Sequence, residues 1–161
     1  MTASKTGLWR VPAAMALSGL IGRMVGFPLA RLFLVRLEDG SYTSSPLFSP
    51  CMNGIYVALF LAAGWLLLRG MDRRTLFRSA TLMVAYGLLV LAVEQIGQVL
   101  AGGGILLLTY YLYIPTEAGS VVTSLLFRLA PETLPHWGFV LLAIPSCFLP
   151  YLYLVFGRKA A

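Results

Sequence analysis

Charged side chains are scarce in this sequence: 12 Lys and Arg and 6 Asp and Glu make up 11% of 161 residues, while 59% are hydrophobic. A soluble globular domain carries about 25% charged and about 45–50% apolar residues, so a water-soluble fold of this size is excluded by the apolar surface it would have to hide. Histidine is nearly absent. His136 stands alone, which leaves zinc coordination without a second imidazole and general-base chemistry without an evident nucleophile. The two aspartates, Asp39 and Asp72, belong to opposite ends of the hydrophobic segments, whereas membrane aspartyl peptidases and phosphotransferases need aspartates paired or clustered on one face. Intramembrane proteolysis by a serine–histidine pair or by paired glutamates lacks its residues too. Cys51 and Cys147 form neither a CxxC pair nor a ligand cluster. No disulfide, metal or cofactor is therefore expected, and no glycine-rich turn feeds a helix in the manner a nucleotide site requires.

What is present is a series of long apolar runs. The first expected span covers residues 11–35 and is interrupted by Arg23, Pro28 and Arg31. The apolar pattern resumes after Arg23, which favours an uncleaved span over a signal peptide. A polar loop from Leu37 to Ser49 leads to Pro50, a favoured first-turn residue, and to an uncharged second span at 51–68. The third span is expected at 79–101, ended by Gly102, Gly103 and Gly104, and the fourth at 137–156, with Trp and Tyr at its ends as in an aromatic belt. The expected fold is thus an all-α integral membrane protein with four transmembrane helices, forming a single domain over 1–161.

Basic residues give the orientation. Lys5, Arg10, Arg69, Arg73, Arg74, Arg78, Arg158 and Lys159 lie on one side, with Arg31, Arg36 and Arg128 at or near the other. By the positive-inside rule the first group, and both termini with it, is cytoplasmic in a multi-pass cell-membrane protein. The net charge of +6 follows from these topology signals and does not form the basic stripe that a nucleic-acid interface needs. Residues 105–129 are ambiguous, because two apolar stretches, each too short to span, flank Pro115, Thr116 and Glu117. A re-entrant or interfacial helical segment on the outer face, with Tyr110, Tyr111 and Tyr113 at headgroup level, keeps four spans. A single kinked crossing would make five and carry Arg158 and Lys159 outside.

Polar residues inside the spans are the candidates for function. Arg23 lies about 18 Å from the cytoplasmic end of the first span and Glu94 about 22 Å along the third, at about 1.5 Å per residue. Glu94, Gln95 and Gln98 share one helix face, so an intramembrane pair of Glu94 with Arg23 or Arg31 is expected, either fixing helix packing or lining a path. Small residues at four-residue spacing, Ala14, Ser18, Gly22, Gly26 and Ala30, open one face of the first span to close approach by another helix of the chain or by a second subunit. Arg69, Arg73, Arg74 and Arg78 suit anionic lipid headgroups. These features point to a transport-related component or a subunit of a membrane complex, with other membrane subunits or a second copy as partners. The alternative is a lipid-acting enzyme with an outer-face site near Glu117, Glu132 and His136.

Overall fold

The computed structural model describes residues 7–101, 106–130 and 136–158. Four of its helices are long and apolar enough to cross a membrane, over Arg10–Leu32, Phe48–Leu68, Arg73–Gln98 and Gly138–Phe156. Each is long enough for a hydrocarbon core of about 30 Å. Large apolar side chains such as Leu20, Met24, Leu66, Leu89 and Ile96 stand exposed around them, the surface a bilayer-facing bundle presents.

Helix α1 (Arg10–Leu32) stops three residues before the expected end of its span. A two-stranded antiparallel ribbon follows, β1 (Leu34–Arg36) paired with β2 (Tyr42–Ser44), where the sequence suggests the end of the first span and then a loop. Turn chemistry explains it. Gly40 takes φ +83°, Gly40 N–H donates to Leu37 O at 3.0 Å, and Asp39 Oδ1 accepts from Ser41 N–H at 2.9 Å and Ser41 Oγ at 2.6 Å. Those donors hold the Asp39 carboxyl below its usual range.

Helix α2 (Phe48–Ala63) closes in a wide π-type turn, Gly64–Leu68. Gly64 is required there, since a Cβ would meet the Phe156 and Tyr153 rings at 2.5–2.9 Å. Gly70 turns the chain at φ +90° into α3 (Arg73–Ala101), which begins six residues before the expected boundary, so that Arg73, Arg74 and Arg78 ride on its first turns. After α3 the chain forms a broken helix: α4 (Leu106–Leu112), a 3-10 turn (Ile114–Gly119) and α5 (Ser120–Leu129). Last comes α6 (His136–Cys147), continued beyond Pro145 by a 3-10 helix, Leu149–Phe156, that has Pro150 near its start.

The two ends of the bundle differ. At the end carrying the arginines the packing is closed and apolar around Val11, Met15, Leu68, Leu76 and Tyr153, with the Phe60 and Tyr153 rings stacked at 4.1 Å. Ser79 Oγ accepts from Val11 N–H and donates to Leu8 O, setting the start of α1 level with the first turns of α3. Arg158 N–H donates to Met71 O at 2.8 Å and Arg73 N–H to Arg158 O at 3.2 Å, which ties the end of the last span to the turn before α3. Toward the other end, the broken helix inserts between α1 and α3 and acts as a wedge.

Candidate functional site

The wedge is seated by glycine. A Cβ on Gly19 would fall on the Ile114 carbonyl oxygen and lie 3.3 Å from Glu117 Cβ, so only a residue with no side chain lets the 3-10 turn reach the middle of α1. On the neighbouring face Gly22 meets the Tyr56 ring and Gly26 meets Met52, both on α2, while Ser18 is buried and donates to Met15 O at 2.8 Å. The small-residue face of the first span therefore receives another helix of the same chain.

Seated in this way, the turn delivers Glu117 to Arg23. Arg23 Nη2 and Nε donate to Glu117 Oε2 at 2.7 Å and 3.0 Å, and the Tyr110 ring centroid lies 3.9 Å from Arg23 Cζ. The two side chains are 16% and 22% exposed, and theirs is the only ion pair among the described residues. Arg23 Nη1 is buried without a partner among the described residues. The expected pairing of Arg23 with Glu94 is thus corrected: Glu94 accepts from the Tyr113 hydroxyl instead. The depths of the two charges were compatible, but the wedge stands between them and offers each a partner of its own. Arg31 is also apart from Glu94, since it is exposed and lies with Cζ 5.0 Å from the Phe27 ring centroid.

Two cavities flank the wedge and share the Arg23–Glu117 pair as a wall. The larger, about 480 Å³, lies against α3 and α6 and is lined by Arg23, Glu94, Gln95, Gln98, Tyr113 and Glu117 among others. The smaller, about 410 Å³, lies against α2, where Asn53 Nδ2 donates to Ser124 Oγ at 2.8 Å. A third hollow of about 410 Å³, between α2, α5 and the last 3-10 helix, is almost wholly apolar. Four of the five intramembrane polar residues singled out in the sequence, all but Arg31, thus line one cavity. Tyr113 and Glu117 complete it. Their place was not visible in the sequence, because a Pro-Thr-Glu break and three tyrosines read as an interface.

The remaining candidates are dispersed. Arg69 is exposed with Cζ 4.2 Å from the Trp65 ring centroid, Arg74 and Arg78 are exposed, and Arg73 Nε donates to Leu154 O at 3.3 Å. Cys51 is exposed and Cys147 buried, both free. Among the described residues no group of three His, Cys, Asp or Glu could hold a metal. Glu132 and the His136 side chain lie outside the described residues, and Glu117 is occupied by Arg23. Comparison with known proteins returns no matching family, no matching curated protein and no matching solved structure.

Proposed function

We propose that this chain is a transport-related protein of the cell membrane, acting alone or as a subunit of a membrane complex, in which the wedge re-enters from the outer face and forms a polar vestibule. The observation that carries this reading is the cavity of about 480 Å³ that brings Arg23, Glu94, Gln95, Gln98 and Glu117 together inside an otherwise apolar bundle. Charged and amide side chains at such depth are costly in hydrocarbon and are kept where they line a path or pair across helices. Irregular backbone is tolerated at membrane depth only where protein buries it or water reaches it, and the 3-10 turn at Gly19 meets that condition.

Contacts along the wedge support re-entry over a fifth crossing. Its middle, Ile114–Gly119, packs at the middle of α1, and Gly119 lies against Ser146 near the middle of the last span. Farther on, Ser124 bonds Asn53 in the second turn of α2, and Phe127 meets Phe139 near the start of α6 at 5.4 Å between centroids. The chain therefore turns back toward the end where α2 and α6 begin. The concentration of Arg69, Arg73, Arg74, Arg78 and Arg158 at the opposite, closed end makes that end cytoplasmic by the positive-inside rule, so the vestibule faces outward. Anionic headgroups of the inner leaflet are the natural neighbours of those arginines.

The test is chemical access. In a cysteine-free background, Gln98→Cys and Thr123→Cys in the cavity should react with a membrane-impermeant thiol reagent added outside intact cells, whereas Ala80→Cys in the closed end should not. Protection of both cavity positions, or their reaction from the cytoplasmic side alone, refutes the outward vestibule. Flux of solutes into sealed proteoliposomes then tests transport itself.

A further inference from the structure

Resting on the reading of the larger cavity as a substrate site, we infer its substrate class: a small organic monocation, an ammonium borne on an apolar or aromatic body, with Glu94 as its counter-charge. The argument starts from a count of charges. Among the described residues the cavity wall holds two carboxylates, Glu94 and Glu117, and one guanidinium, Arg23. Arg23 is spent on Glu117, with two N–H groups on one carboxylate oxygen. Among the described residues the partner of Glu94 is neutral, the Tyr113 hydroxyl, and Arg23–Glu117 is the sole ion pair. The cavity therefore has a formal charge of −1 in surroundings of low dielectric, where an unmatched charge is far more costly than in water. A bound monocation cancels it; an anion doubles the imbalance.

The geometry suits the same class. A carboxylate has about four acceptor positions, so the one used by Tyr113 leaves room for N–H donors from a ligand. Aromatic side chains, Tyr113, Phe127 and Phe139, line the cavity beside Tyr110, whose ring already carries Arg23, and aromatic faces attract ammonium groups. The Gln95 and Gln98 side chains add amide dipoles to the same wall. The volume of about 480 Å³ lies in the range of small-molecule sites, about 300–1,000 Å³. Anionic solutes are disfavoured although an arginine is present, because its charge is already neutralised.

The experiment measures equilibrium binding to the full chain in nanodiscs, with empty nanodiscs subtracted, using three probes of similar size: benzyltrimethylammonium, benzenesulfonate and benzyl alcohol. Saturable binding of the cation alone is expected. Glu94→Gln should weaken it by about 10-fold or more, the effect of losing a charged partner, and Glu94→Asp should recover most of that loss. Gln98→Glu, a change at an exposed position, adds a second carboxylate beyond the Arg23–Glu117 pair and should tighten binding without demanding anything of the fold. Cation affinity unchanged in Glu94→Gln and in Gln98→Glu overturns the inference, as does tighter binding of benzenesulfonate or saturable binding of none of the probes. Flux in proteoliposomes separates the two readings: cation binding that depends on Glu94 without any flux leaves the site standing and removes transport, whereas flux of an anion leaves transport standing and removes the cation site.

Discussion

Replacing Arg23 and Glu117 by glutamine, singly and together, measures whether the wedge is held by charge. In the folded chain the guanidinium gives two N–H groups to one Glu117 oxygen at 2.7 Å and 3.0 Å, and about a fifth of each side chain is exposed. Removing one member of a buried pair strands the other and costs about 3–5 kcal/mol. The partial exposure of the two side chains, 16% and 22%, places the expected cost at the low end, about 3 kcal/mol for R23Q or for E117Q. The double variant strands no charge. Its cost should be no more than that of either single variant, giving a coupling energy of at least about 3 kcal/mol, at or above the top of the usual range for contacting residues. An ordinary interhelical hydrogen bond couples by only about 0.6 kcal/mol on average in a membrane protein, so the two cases are well separated. The assay is reversible unfolding in mixed micelles, or steric trapping in bicelles, with Arg31→Gln as the exposed control on the same helix, expected to change stability by less than about 0.5 kcal/mol. Single effects that add within about 0.5 kcal/mol refute the pairing. A large coupling between Arg23 and Glu94 in place of Glu117 refutes the seating of the wedge.

Other consequences are graded by what each side chain touches. Gly19→Ala should prevent the 3-10 turn from docking and cost more than the usual 1–3 kcal/mol of overpacking (about that range for cores), Gly22→Ala less because the Tyr56 ring can shift, and Gly26→Ala least because only the flexible Met52 tip is met. Gly54, with nothing within 4 Å, should accept Ala and gain up to about 1 kcal/mol from helix propensity; unfolding midpoints check the order. Neutralising Arg69, Arg74 and Arg78 to Gln should weaken association with phosphatidylserine-rich over zwitterionic bilayers by about 1 kcal/mol per residue, read from lipid retention by native mass spectrometry. Ser41→Ala should move the Asp39 titration upward toward 3.8, its ordinary value. Because the folded carboxyl lies below that value, its support of the β ribbon is complete above about pH 4 and lost as pH falls through the lowered pKa; the Asp39 carboxyl carbon shift follows both.

The four long helices were legible because a span announces itself locally, through about twenty apolar residues with basic flanks. The polar face of α3 was legible for a related reason: Glu94, Gln95 and Gln98 share an arc by helical periodicity alone, and that arc lines the cavity. The partners of Arg23 and Glu94 were not, because depth estimated along each helix says nothing about what stands between two helices. Glu117 follows Pro115 and Thr116 between two short apolar stretches, a pattern that suits an interface loop as well as a buried turn. The deciding information lay elsewhere in the chain, in Gly19. The spacing at four residues drew attention to Ser18, Gly22 and Gly26, the face that receives α2, and passed over the glycine one position from Ser18 that opens a second face. An arginine in mid-span requires an anion at its own depth, and no spanning helix except α3 has a carboxylate. Another carboxylate has to come from outside those helices, and Gly19, one turn before Arg23, marks where the backbone that carries it comes close.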